Sequence, residues 1–479
     1  MSARVINGYD PESVFYYFEE ITKIPRGSGN EKGIAEWLCD FARKNSLEYY
    51  CDGMHNVLIK KPATAGKENE PAVLLQGHTD MVCEKNSDCA FDFEHDPLDI
   101  YVDENGFLRA KGTTLGADNG VAVAMMLALL AGEKKEHPAL ECLFTVQEET
   151  GLDGAKNFDY SKINARRMIN LDSESEGEVV VGCAGGIFHR VSIELSREPF
   201  CGEALKVSMG GLMGGHSGEN INSGRANANK LLGRLLLEVG ERSMFNLCSI
   251  SGGSKDNAIP REAEAMVAVS DAESFVSAVN TLAEKIKSEL SSEDKNFYIK
   301  IEKADAPEKM ADSESTAKIV GFISSIANGV LAMSMNIKGL VEFSRNLGII
   351  STGDDVVSFI FSSRSAIESQ LDYASSELSS FARILGGKAE LLGRYPGWSY
   401  APVSPLREKF RKVYKELSGK DARENVIHAG LECGIIRSNI PDMDIISIGP
   451  DMRDIHSPDE ALDLSSLERT FKIVSALLD

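Results

Sequence analysis

Histidines and carboxylates recur at the ends of apolar runs in this chain, and those ends are where chemistry can be placed. The run Ala72-Val-Leu-Leu75 leads into Gln76-Gly-His-Thr-Asp80. A neutral imidazole is a good zinc ligand, and its second ring nitrogen needs a carboxylate, a carbonyl or a water to fix the tautomer. His78 can be that ligand and Asp80 its orienter; a His and an Asp sharing a surface turn is the plain alternative. Further on, Lys111-Gly-Thr-Thr-Leu-Gly-Ala-Asp-Asn-Gly120 opens an apolar helix over 121–130. A glycine-rich turn before a helix can cradle a phosphate, but the lysine and hydroxyl of a P-loop are missing after the last glycine. Asp118 then reads either as an N-cap or as a carboxylate able to bridge two cations. The buried run 140–147 ends in Glu148-Glu149. Adjacent side chains on an extended chain point to opposite sides, so one of these acids can bind a metal while the other faces a substrate. Met168-Ile-Asn-Leu-Asp172 is another apolar strand ending in an acid, and His456 follows the buried run 443–449. Ligands gather at the carboxyl ends of strands in α/β sheets, so the recurrence says more than any one member.

Those ends need a sheet to carry them and helices to cover it. Helical apolar spacing runs over 11–21 and again over 31–45, with Gly27-Ser-Gly29 between them. Strands are expected at 47–50, 57–60 and from Ala72, and residues 83–110 read as irregular and acidic. After Gly182-Cys-Ala-Gly-Gly186 the texture changes. Strands at 191–195, 204–209, 263–269, 297–301 and 356–361 alternate with amphipathic helices at 227–239, 272–290, 315–327 and 366–382. The expectation is a catalytic domain in two parts, 1–186 and 388–479. Residues 187–387 form an inserted α+β domain, readable as two similar units. The insert displays His216 in the flexible turn Gly214-Gly-His-Ser-Gly218. His55, His95, His137 and His189 have no comparable setting and read as structural.

The totals narrow the classes. The chain has 479 residues, too many for one ordinary core. A hydrophobic fraction of 43% with 26% charged residues is that of a soluble globular protein. No apolar run is long enough to span a bilayer, and the N-terminus lacks the apolar core of a signal peptide, so a cytoplasmic location is expected. The nine cysteines are scattered without a Cys-x-x-Cys pair, against both a disulfide framework and a cysteine-rich zinc site. A formal net charge of −22 argues against nucleic acid or an anionic membrane as partner.

In sequence order, several short motifs together resemble the M20-type metallopeptidases, and among them the aminoacyl-histidine (Xaa-His) dipeptidases. They are Lys61-Pro-Ala-Thr-Ala-Gly66, His78-Thr-Asp-Met-Val82, Gly112 to Gly120, Glu148-Glu149, Asp172-Ser-Glu174 and Gly182 to Gly186. After these come Gly215-His-Ser-Gly218, Asn257-Ala-Ile-Pro-Arg261, Tyr395-Pro-Gly-Trp398, His428 to Gly434 and His456-Ser-Pro-Asp-Glu460. The resemblance implies an α/β zinc-peptidase-like catalytic domain, a mixed sheet flanked by helices, with the insert as a lid. It implies two Zn2+ per subunit, with Co2+ or Mn2+ as substitutes. His78, Asp118 and Asp172 would hold one ion; Asp118, Glu149 and His456 the other. Glu148 would be the general base, Asp80 the orienter of His78, and His216 an oxyanion donor. Arg364 and Asn257 would bind the substrate carboxylate. The expected substrates are small dipeptides, Xaa-His including β-alanyl-histidine, and the expected assembly is a homodimer. Alternatives are a broader dipeptidase, a tripeptidase or an aminoacylase on the same metal site. From other classes there remain a two-metal phosphoesterase, disfavoured by the lack of a basic phosphate clamp near the acids, and a non-catalytic metal-binding scaffold.

Overall fold

The computed structural model describes residues 4–335 and 337–479. The chain divides into two compact units. The first takes in the chain up to Gly182, Trp398–Val426 and Leu431–Asp479; the second is Cys183–Gly397 with Ile427–Gly430. As expected, the architecture is α/β with mixed and antiparallel sheets covered by helices.

The first unit is built on an eight-stranded mixed sheet. Its centre is four parallel strands in the order Leu140–Thr145, Val73–His78, Arg167–Asn170 and Asp444–Ser447. Every residue of Val73–His78 and Leu140–Thr145 is buried, which is why these strands read as continuous apolar runs rather than alternating ones. Gly77 explains how the strand is covered on one face. A Cβ there would lie 2.3 Å from the Cβ of Ala122, so the bare backbone lets the helix from Gly120 onward press against the strand. That helix is buried almost throughout its length. Gln76 and His78, two residues apart, share the opposite face.

Two local expectations give way. Glu148 and Glu149 are not on extended chain: the strand ends at Thr145. A turn follows, in which the Gly151 and Leu152 N–H groups donate to the Glu148 carbonyl at 3.1 and 3.0 Å. Gln147 enters this turn at φ 53°. The preceding apolar spacing could not reveal where hydrogen bonding to the neighbouring strand stops. Asp118 likewise is not the cap of a regular helix. It is extended, at φ −80° and ψ 105°, with Asn119 also off helical values.

The second unit has one antiparallel sheet of nine strands. Four helices, Ala228–Gly240, Ala272–Glu289, Ser313–Ser325 and Glu368–Ile384, bury Leu235, Leu282, Phe322 and Leu378 in a common core with Val267, Leu347 and Phe359 of the strands. Four of the strands, Phe245–Gly252, Gly329–Met333, Val341–Thr352 and Lys388–Tyr395, have no counterpart among the runs expected from sequence. His189 lies buried in this unit, its Nε2 2.9 Å from Ser375 Oγ. Burial, with the charges of Arg345 and Arg394, pushes His189 down to about 4. An unfolded histidine protonates near 6.5. Between those values the unfolded chain binds the proton and the native chain does not, so stability present above about pH 6.5 is lost as pH falls towards about 4. His189→Gln should therefore flatten the acid side of the stability profile. Urea midpoints at pH 7.5 and 5 measure this, and an unchanged difference between the two would refute it.

Candidate metal and substrate site

The carboxyl ends of the central parallel strands bring five of the expected side chains together. His78 ends its strand with Nε2 3.1 Å from Asp118 Oδ1 and 3.5 Å from Asp172 Oδ1. His456 Nε2 lies 3.1 Å from Asp118 Oδ2 and 3.1 Å from Glu149 Oε1. Asp118 thus turns one oxygen towards each imidazole. Asp172 is steadied by the Asn119 amide, which donates to Oδ1 at 2.7 Å. His456 sits at φ 60°, a left-handed conformation that non-glycine residues rarely adopt outside sites that over-determine it.

Asp80 is wholly buried and does two jobs. Its backbone carbonyl is 3.1 Å and its Oδ1 3.3 Å from His78 Nδ1, so that Nε2 faces the acids. Its carboxylate also accepts the Glu148 and Glu149 backbone N–H groups at 3.1 and 3.3 Å and the Ser28 hydroxyl at 2.8 Å. The residue that meets His78 Nδ1 therefore shapes the Glu148-Glu149 turn as well.

The electrostatics call for positive charge. Burial pushes the Glu148 carboxyl well up, helped by Asp172, Glu149 and Glu432. Burial likewise raises Glu149 and Asp172. Hydrogen bonds to Asp118 and Glu149 push His456 up to about 11. His78 is raised despite its burial, because Asp172, Asp118 and Asp80 surround it. Cations are the usual solution to such a crowd of buried carboxylates. Two donors each about 2 Å from one ion at a tetrahedral angle stand about 3.3 Å apart, close to the nitrogen–oxygen spacings seen here. The donor set fits divalent metal, and the donor atoms of His78, Asp118 and Glu149 all lie within 4.8 Å of one another.

Sequence reasoning missed several supporting residues. Glu432 is fully buried, and its Oε2 accepts the Gln76 amide and the Thr145 hydroxyl. Burial pushes it up to about 7. Arg26 is 2% exposed, and its guanidinium donates to the carbonyls of Thr79, Asp80 and Gly116. Glu460 accepts four consecutive backbone N–H groups. Glu460 and Glu432 lie within motifs visible in the sequence; nothing there marks Arg26 as buried.

In the second unit, His216 belongs to the two-residue strand Gly215–His216, paired with Ala258–Ile259. Asn257 is exposed beside that pair, and its carbonyl accepts Ser217 N–H at 2.8 Å. Arg364 is buried, with Nη2 3.4 Å from His216 Nε2 and Nη1 donating to Tyr395 Oη at 2.7 Å. Its Nε has no hydrogen-bond partner among the described residues. Arg345, one residue along from the cross-strand partner of Arg364, is equally buried but donates to the Glu377 carboxylate. One arginine of this strand pair is matched by an acid; the other is left to hydroxyl and imidazole. His428, given no role from sequence, hydrogen-bonds Ser344 Oγ at 2.7 Å and is pushed down to about 3 by burial and by Arg364.

The model of peptidase family M20/M25/M40 matches residues 74–479. The chain belongs to this family. The segment matched includes all of the metal-type residues above, while Arg26 and Ser28 lie outside it. The chain is 40% identical over 472 residues to the cytosol non-specific dipeptidase of Escherichia coli K12, covering 98% of this chain and 97% of that one. Its structure is similar to the aminoacylhistidine dipeptidase of Vibrio alginolyticus. The TM-score is 0.89 at 36% identity, with 98% and 96% of the two chains covered. The aminopeptidase PepT of Bacillus cereus, at TM-score 0.56 and 16% identity over 98% of both chains, shares the fold. The M20 chain described here is thus a hydrolase of peptide bonds.

If the clustered donors hold divalent cations, saturating cation stabilises the folded chain, by about 2.7 kcal/mol per site at a hundred times the dissociation constant. Thermal unfolding with Zn2+ and with chelator should show this shift, and Asp118→Asn should abolish most of it. An equal shift in the variant would exclude Asp118 as a shared ligand.

Proposed function

We propose that this M20 peptidase is a metal-dependent dipeptidase, acting on Xaa-His dipeptides among others. The observation that supports it is Asp118, whose two carboxylate oxygens face separate imidazole–carboxylate pairs 3.1 Å away on either side. His78, Asp118 and Asp172 would hold one ion, and Asp118, Glu149 and His456 the other. Zinc is the proposed metal, with cobalt or manganese able to replace it. Bound divalent ions supply polarisation of the scissile carbonyl and acidify water.

The residues of the chain do the rest. Glu148 stands beside Glu149 in a turn pinned by Asp80, and it remains partly open to solvent. Its carboxylate would take a proton from the attacking water as the C–O bond forms. It would pass that proton to the leaving nitrogen as the C–N bond breaks. Glu148→Gln should lower turnover by about 10²- to 10⁴-fold while metal content stays constant. Steady-state rates on β-alanyl-histidine and other Xaa-His dipeptides, with metal analysis of the same samples, test both halves. A fully active variant would remove Glu148 from the mechanism.

In the second unit, the Glu219 N–H donates to His216 Nδ1 at 3.3 Å. Arg364 Nη2, which can only donate, stands 3.4 Å from Nε2, so the oxyanion role proposed for His216 requires that guanidinium to turn to the substrate carboxylate and leave the ring proton on Nε2. Burial and Arg364 keep this imidazole neutral by lowering its pKa. Arg364, a buried guanidinium without an acid partner among the described residues, would take the substrate carboxylate, with Asn257 as companion. A guanidinium forks onto a carboxylate with two parallel hydrogen bonds. Arg364→Ala should raise KM about 10- to 100-fold for free dipeptides and little for the corresponding dipeptide amides. Equal effects on the two series would sink this role.

The names of the relatives support a dipeptidase reading and leave its breadth to experiment: one is named a non-specific dipeptidase, the other an aminoacylhistidine dipeptidase. Hydrolysis of Xaa-His dipeptides set against other dipeptides, tripeptides and acetyl-amino acids separates the specific, broad, tripeptidase and aminoacylase readings. A cytoplasmic location and a homodimer complete the proposal. The E. coli relative is named for the cytosol. Among the described residues, no helix is long and apolar enough to cross a membrane.

A further inference from the structure

The turn that presents Asp118 is gripped from both sides by groups that touch no ligand atom. Glu460 Oε2 accepts the N–H groups of Leu115 and Gly116 at 2.7 and 2.9 Å; its Oε1 accepts those of Ala117 and Asp118 at 2.8 and 3.3 Å. On the other side, Arg26 Nη2 takes the Gly116 carbonyl, while Nη1 takes those of Thr79 and Asp80, just beyond His78. The fit is close. Gly116 has φ 67°, and a Cβ on it would stand 2.5 Å from Arg26 Nη2. Glu460 and Arg26 are each 2% exposed. Glu460 also lies four residues after His456, and its own N–H returns to the Ser457 carbonyl at 3.1 Å.

We propose that Glu460, assisted by Arg26, is the positioning residue that fixes Asp118 between two metal ions and sets the affinity of both. The physical case is one of direction. The residues just before a helix expose unpaired N–H groups that a carboxylate can collect, and one carboxylate collecting four of them leaves the 115–118 backbone little freedom. The Asp118 side chain then emerges at one fixed angle, with an oxygen towards each imidazole. The motif His456-Ser-Pro-Asp-Glu460 therefore supplies a metal ligand at its first residue and the clamp on the shared ligand at its last. This rests on the two-metal reading above. It adds that the two ions are linked through a residue that contacts neither.

The test is zinc titration of the metal-stripped full chain, read by competition with a chelating dye, alongside urea unfolding of the same metal-free samples. The unmodified chain should take two equivalents. Glu460→Gln replaces an acceptor oxygen with an amide that repels the backbone donors. It should weaken both equivalents together, by about 10- to 100-fold. Glu149→Gln, which alters an end ligand, should weaken one equivalent only. Should Glu460→Gln not fold, Glu460→Asp keeps the charge but cannot span all four donors, and the same joint loss is expected. A variant whose metal-free stability falls while both zinc affinities hold would overturn the proposal, as would loss of one equivalent alone. An unmodified chain that takes up no zinc would instead overturn the two-metal reading itself.

Discussion

Asp118 turns one carboxylate oxygen to each of two imidazoles, and much of the first unit can be understood from that arrangement. A carboxylate facing two imidazoles needs its Cα placed, its backbone stiffened and its neighbours kept from neutralising it. The extended conformation at Asp118, ahead of a helix that begins in earnest at Gly120, gives the placement. Glu460 and Arg26 give the stiffness. The surrounding acids are crowded and buried, which is costly without cations. Asp80 ties the two sides together, since one residue both meets His78 Nδ1 and holds the Glu148-Glu149 turn.

The second unit shows the same economy in a different form. Val341–Thr352 and Val356–Ser365 are paired strands, and they bury Arg345 and Arg364 at neighbouring rungs. Arg345 has Glu377. Arg364 has a tyrosine hydroxyl and a histidine nitrogen nearby and, among the described residues, no partner for its Nε. Burying a guanidinium without its counterion is unfavourable, and the asymmetry within one strand pair supports the substrate-carboxylate role proposed for Arg364.

How much of this the amino-acid order reveals depends on what each residue faces. His78, Glu149, Asp172 and His456 are legible because apolar strands announce themselves and ligand-type residues shortly beyond them stand out. The conformations at Asp118 and at Glu148-Glu149 are not, since both depend on hydrogen bonds made to Glu460 and Asp80 from elsewhere in the chain. Val341–Thr352 escapes notice for a related reason. Ser344, Arg345 and Asn346 are all buried, so polar side chains occupy positions where a strand pattern leads one to look for valine or leucine. Arg26 is hidden by the same logic: an arginine after Pro25 reads as surface until its three carbonyl partners are known.

The path of the backbone carries one more consequence. Cys183–Gly397 is not a self-sufficient module, because the short stretch Ile427–Gly430 is part of the same compact body. His428 bonds Ser344, and Gly430 leaves the Tyr395 ring no room for a Cβ, which would come within 2.8 Å of it. Excising or transplanting the insert as one continuous fragment would strand that tetrapeptide with the wrong partner. A faithful graft, chimera or circular permutant has to carry both pieces, and a gene fusion drawn at the two obvious junctions would cut through the packing around the very tyrosine that holds Arg364.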